Sequence, residues 1–169
     1  MTEGAGRALV KAKVNGLALD VTSNSPVVVL APEDEDLILP IWIGHFEAWA
    51  IAMELSEVKS KRPLTHDLLN GMIQSLGAKV DSVQVVDLRD QTFFAKIIIA
   101  KNGTTIEVDA RPSDSIALAL KAKAPIMVRY DLFQKRPASA PGQPEKYDAE
   151  ALKERLRNIS PEDFGKYSL

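Results

Sequence analysis

AKVDSVQVVDLRDQTFFAKIIIAKNGTTIEVDA, residues 78–110, decides the fold class. AKVDSVQVVDL and TFFAKIIIAK read as two strands joined at Arg89-Asp90-Gln91. Asn102-Gly103 is the dipeptide of a type I′ turn, whose two central residues both need φ > 0, so TTIEVDA turns back alongside the second strand. The stretch is a three-strand meander, and an antiparallel sheet is the expected frame.

Upstream, residues 9–31 add two extended segments: VKAKVNGLALDV alternates apolar and polar residues, and PVVVLA is a β-branched run, with Ser23-Asn24-Ser25-Pro26 as the turn between them. LILPIWI (37–43) is a further strand in which Pro40 marks an edge or a bulge. Residues 46–58 form a helix so apolar that only Glu47 and Glu54 make a polar strip. Such a helix is expected to be central or covered in an oligomer. A second helix starts at Thr65 as N-cap, with Leu68, Leu69, Met72, Ile73 and Leu76 on one face, and stops at Gly77.

Downstream, Arg111-Pro112-Ser113 breaks the chain into a helix over 114–123, and PIMVRYDLF is the last strand. The expectation is an α+β domain over residues 1–133, of mostly antiparallel strands with two or three packed helices. A Pro-rich linker (134–146) and a C-terminal helical tail (147–169) follow.

The 169 residues are 46% apolar and 26% charged, the composition of one globular domain. The absence of cysteine excludes thiolate zinc sites, iron–sulfur clusters, a cysteine nucleophile and disulfides. With only His45 and His66, no three-histidine metal site forms within one chain. The start, MTEGAGRALVKAKV, lacks the pattern of a signal peptide, and no apolar run reaches the ~20 residues of a membrane span, so a cytoplasmic protein without membrane contact is expected. The net charge of −2 is unlike the basic footprint of a tight nucleic-acid binder.

There is no Gly-rich phosphate loop, Gly-x-Ser-x-Gly elbow or His-Glu-x-x-His pair. Three polar clusters are left, each at a helix start where free N–H groups can hold an anion. In Ile43-Gly44-His45-Phe46-Glu47-Ala48, His45 and Glu47 suit proton transfer or metal ligation; alternatively His45 caps the helix and Glu47 complements its dipole. In Arg62-Pro63-Leu64-Thr65-His66-Asp67, a basic loop containing Lys59 and Lys61 feeds a helix start, a place for a phosphate or simply a solvated loop with an ordinary cap. In Asp109-Ala110-Arg111-Pro112-Ser113-Asp114-Ser115, Arg111 can clamp a phosphate while Asp109 and Asp114 ligate Mg²⁺ or Mn²⁺. The alternative is an ion pair from Arg111 to Asp114 or Asp109 that locks the turn, with Ser113 as N-cap.

These three segments, the last extended as Asp114-Ser115-Ile116-Ala117-Leu118-Ala119-Leu120, resemble in order and spacing the signature stretches of the bifunctional nuclease domain family, as does Ser160-Pro161-Glu162-Asp163-Phe164. The resemblance implies an α+β domain with DNase and RNase activity, assembled as a wedge-shaped homotrimer whose groove holds the active site. The roles expected on these positions are our own inference from the residues. Arg111, with Arg62, Lys61 and Ser113, binds substrate phosphate. Asp109, Asp114 and Glu47 hold Mg²⁺ or Mn²⁺ or act as acid and base, and His45 or His66 transfers protons. The expected activity is metal-dependent, non-sequence-specific hydrolysis of RNA and DNA, bound weakly. A non-enzymatic homo-oligomeric module with a small anion or nucleotide site is the competing reading.

Overall fold

In the computed structural model, which describes residues 8–20 and 22–136, two three-strand meanders lie side by side in one sheet and are joined through a strand from late in the chain. The first comprises β1 (Leu9–Asp20), β2 (Ser25–Pro32) and β3 (Leu37–Trp42), and the second β4 (Lys79–Arg89), β5 (Thr92–Lys101) and β6 (Thr104–Ala110). Strand β7 (Ile126–Arg129) fits between them, parallel to β4 and antiparallel to β1. The two-residue β8 (Gln134–Lys135) pairs with β3, giving the order β6-β5-β4-β7-β1-β2-β3-β8. Every pairing except β4–β7 is antiparallel. Three helices, α1 (His45–Leu55), α2 (Thr65–Ser75) and α3 (Pro112–Ala122), complete the α+β arrangement.

Local chemistry accounts for the turns. Asn102 and Gly103 both have positive φ (49° and 76°), as a type I′ turn requires. Asp90 and Gln91 adopt the same left-handed region, so the β4–β5 connection is also a tight two-residue loop. Pro40 sits in β3 near the sheet edge, where a missing N–H costs no ladder bond: β8 covers only Leu37 and Ile38.

The core lies between the helices and one face of the sheet. Leu17, Val28, Leu30, Ile41, Val83, Val85, Ala95, Ile97, Ile126 and Val128 pack against Ile51 and Ala52 of α1, Ile73 of α2 and the run Ile116–Ala119 of α3. Leu30, Ile116 and Leu118 are fully buried, each contributing about 1.5–3 kcal/mol by removal from water.

Within one chain helix α1 is not covered all round, which corrects the central alternative and leaves cover in an oligomer as the expectation: Ala48, Ile51, Ala52 and Met53 are buried, while Phe46 is 72% exposed and Leu55 faces solvent. Of the five apolar residues expected on one face of α2, Ile73 alone is buried, and Leu64, Leu68, Met72 and Leu76, at strict spacings of four, form an exposed stripe. Among the described residues no helix is long and apolar enough to cross a membrane. The C-terminal tail and most of the linker lie outside the described residues.

Candidate functional site

The first turns of α1 and α3 meet at one guanidinium, and that of α2 adjoins through Asp114. Gly44 is the N-cap of α1 and Glu47 lies in its first turn; Arg111 is the N-cap of α3, with Pro112 fixing the first helical φ and Asp114 behind it. Arg111 Nη1 donates to Glu47 Oε1 at 3.0 Å, and Arg111 Nε donates to Asp114 Oδ2 at 2.8 Å. Asp114 Oδ1 in turn lies 3.4 Å from Nε2 of His66, in the first turn of α2, a long contact at the limit of hydrogen bonding. Glu47, Arg111, Asp114 and His66 therefore form one chain of side chains across α1, α3 and α2.

Its electrostatics are set by these pairings. The hydrogen bond to Asp114, together with both carboxylate charges, raises the Arg111 pKa, so the group is a permanent cation. The Arg111 side chain is 66% exposed, whereas that of His66 is only 16% exposed. A cation faces solvent and the imidazole lies behind it. The backbone also shapes the cluster: a Cβ at Gly44 would meet Glu47 Oε2, so glycine leaves the room in which this carboxylate folds back over its own helix start.

Of the expected residues, Glu47, Asp114, His66 and Arg111 come together and the others do not. Asp109 lies on the opposite face of the sheet. In β6, Ala110 stands beside Ala95 and packs against the core, so by strand alternation Asp109, opposite Lys96, points away from the helices. His45 is exposed at the first position of α1. Lys61 and Arg62 are exposed in the connector that leads into α2. Ser113 is buried inside the first turn of α3; it is not the N-cap, a position that Arg111 takes. Thr65 is likewise the first helical residue and Leu64 the N-cap, because the Asp67 carboxylate accepts the Leu64 N–H at 2.9 Å and does the capping itself.

The metal set expected at Asp109, Asp114 and Glu47 is not assembled. Asp109 faces away, and Arg111 stands between the other two carboxylates, neutralising them where a cation would bind. Among the described residues no group of three or more His, Asp or Glu side chains is arranged to hold a metal ion. These residues do not fit a resident divalent cation in this arrangement.

Two features escaped the sequence reading. Phe46, the residue before Glu47 in the apolar helix, is an exposed ring; only the helix orientation reveals it. Lys121 pairs with Glu54 of α1 at 2.7 Å and with Asp67 of α2. The signal in the sequence was the seven-residue spacing common to 47/54 and 114/121, which puts each pair on one helix face. Beside this network, Pro63, Leu68, Gly71, Met72, Ser75 and Leu76 line an open, mostly apolar groove of about 410 Å³ along α2.

The sequence signature of the bifunctional nuclease domain matches residues 28–141, which include all four members of the Arg111 cluster. The chain belongs to the bifunctional nuclease domain family. An uncharacterized protein of Mycobacterium tuberculosis is 39% identical over 160 residues, 90% of this chain and 96% of that one. Bifunctional nuclease 1 of Oryza sativa subsp. indica is 27% identical over 132 residues, 76% of this chain but 40% of its own length. Bifunctional nuclease 1 of Arabidopsis thaliana is 31% identical over 107 residues, 61% of this chain and 33% of its own. In this bifunctional nuclease domain the matched region starts inside β2, yet β1 is an integral strand of the same sheet.

Proposed function

We propose that this protein is a nuclease that hydrolyses phosphodiester bonds in RNA and DNA without sequence specificity, in the presence of Mg²⁺ or Mn²⁺, with Arg111 as its phosphate-binding centre. The observation that carries the reading is the exposed guanidinium of Arg111 where the starts of α1 and α3 meet, with Asp114 linking it to His66 at the start of α2. Family membership and the names of the rice and Arabidopsis relatives support it.

The chemistry follows from the residues. A guanidinium pairs bidentately with phosphate oxygens, and helix N-termini favour anions, so negative charge developing on phosphorus is stabilised there. Asp114 orients the His66 imidazole, which can take a proton from the attacking oxygen or give one to the leaving oxygen. Glu47 and Asp114 compete with the substrate for Arg111, and the net charge is −2, so binding is weak and salt-sensitive. Lys61 and Arg62 sit on the connector leading to the same helix start and suit neighbouring phosphates. No step is assigned to a divalent cation, because the carboxylates do not converge on one. The metal requirement is decided by assay.

A homo-oligomeric module acting by binding alone is the second reading, favoured by the exposed Leu64, Leu68, Met72 and Leu76 stripe, which also suits a trimer of the nuclease. A cytoplasmic location completes the proposal.

The test is cleavage of labelled single-stranded RNA and DNA by purified protein with Mg²⁺, Mn²⁺ or chelator, beside Arg111→Ala and Asp114→Ala proteins of verified fold. Loss of cleavage in folded variants supports the nuclease. Equal cleavage by variants and wild type, or none, moves the reading to the binding module.

A further inference from the structure

Lys121 lies in the last turn of α3, seven residues and therefore two turns beyond Asp114 on the same helix face. Its ammonium pairs with Glu54 Oε1 of α1 at 2.7 Å and with Asp67 Oδ1 of α2, so one half-buried cation ties three helices. Burial lowers the Lys121 pKa, but the hydrogen bonds to Asp67 and Glu54 outweigh it and raise it. Lys121 is in turn the main reason that the Asp67 carboxyl is held below its ordinary value, followed by the Leu64 N–H.

Asp67 is a two-sided link. Oδ1 meets Lys121 while Oδ2 accepts the Leu64 N–H at 2.9 Å and closes the first turn of α2. His66 belongs to that turn and reaches Asp114 at the other end of the same α3 face. The segment that feeds the turn, residues 56–64, holds no regular element and is exposed from 59 onward, so it places His66 poorly by itself. Among the described residues, neither Lys121 nor Asp67 is paired with Arg111.

We infer that Lys121 is a positioning residue: through Asp67 it fixes the first turn of α2 and thereby holds the His66 imidazole against Asp114. The kinetic consequence rests on the nuclease reading; the geometric one does not. A misplacement of about 1 Å at a reacting group costs up to about 10²-fold in rate. Losing the tether should therefore lower kcat and spare KM, because the Arg111 phosphate contacts stay in place.

The experiment compares full-length wild type, Lys121→Met, Lys121→Arg, Asp67→Asn, His66→Ala and the Lys121→Met/His66→Ala double variant. It measures steady-state RNA cleavage and, separately, amide hydrogen exchange over residues 64–68. Lys121→Met is expected to reduce kcat by about tenfold or more with KM within about twofold, and to speed exchange at 64–68 while α3 is unchanged. Lys121→Arg, which keeps a cation, restores both. Asp67→Asn reproduces the loss should Lys121→Met fail to fold, and Lys121→Met adds nothing once His66 is alanine. An unchanged kcat in folded Lys121→Met and Asp67→Asn, or effects of Lys121→Met and His66→Ala that multiply, overturns the proposal. If wild type cleaves no RNA, the nuclease reading falls and exchange alone decides: acceleration confined to 64–68 supports the tether, and unchanged exchange sinks it.

Discussion

Glu47 and Arg111, 64 residues apart in the chain, meet at 3.0 Å where the first turns of α1 and α3 adjoin. This contact makes a phosphate compete with an internal carboxylate for the same guanidinium. Glu47→Gln should tighten inorganic phosphate and oligonucleotide binding severalfold, read by calorimetry. The melting temperature should barely move, because an ion pair this exposed contributes only about 0–1 kcal/mol. Gly44→Ala, whose Cβ displaces the Glu47 carboxylate, should raise affinity in the same direction, and the double variant should gain little more. Unchanged phosphate affinity in both would remove Glu47 as a competitor.

Asp114 and Asp109 provide a matched pair of substitutions. Asp114→Asn weakens the link to both Arg111 and His66, and should reduce cleavage by at least about 10²-fold in a folded protein. Asp109→Asn, on the far face of the sheet, should cleave like wild type. Equal losses from the two would show that the site is built differently.

The attachment of α2 carries a pH signature. The Asp67 pKa is lowered in the fold, by Lys121 first and the Leu64 N–H second, so its contribution is present above the ordinary value of 3.8 and is lost as pH falls further. The Lys121 pKa is raised, so its contribution is present below the ordinary 10.5 and is lost as pH climbs through the higher folded value. Asp67→Asn should therefore lower the melting temperature at neutral pH by a few degrees, on the order of 1 kcal/mol. The gap from wild type should close in acid below the ordinary carboxylate range. A gap that persists there would mean that the charge of Asp67 is not what matters.

The α2 stripe predicts assembly. Leu68→Glu with Leu76→Glu replaces exposed side chains and should leave folding within about 0.5 kcal/mol per site. Light scattering on a size-exclusion column should show wild type at a multiple of 18.5 kDa and the variant at or near that mass. Wild type running as a monomer would assign the stripe elsewhere.

The second meander, the separate strands of the first, the Asn102-Gly103 turn and the break from strand to helix at Arg111-Pro112 were legible in the sequence, because each depends on neighbours within a few residues. Local φ preferences and side-chain alternation decide such features. What only the tertiary structure decided is non-local. The insertion of β7 between β4 and β1 brings the two halves into one sheet. Whether an apolar helix face is buried depends on which partner reaches it, and for α2 none among the described residues covers the Leu64 to Leu76 stripe. The site divides along the same line. For Arg111, spacing left open a phosphate clamp or an ion pair to Asp114 or Asp109, and the fold pairs it with Asp114; Glu47 and His66 joined that pair, Lys121 formed a second one with Glu54 and Asp67, and Asp109 stayed apart, through helix placement and the one-residue alternation of β6. Spacing along the chain fixes which face a side chain takes within its own element, and packing between elements alone decides which faces meet.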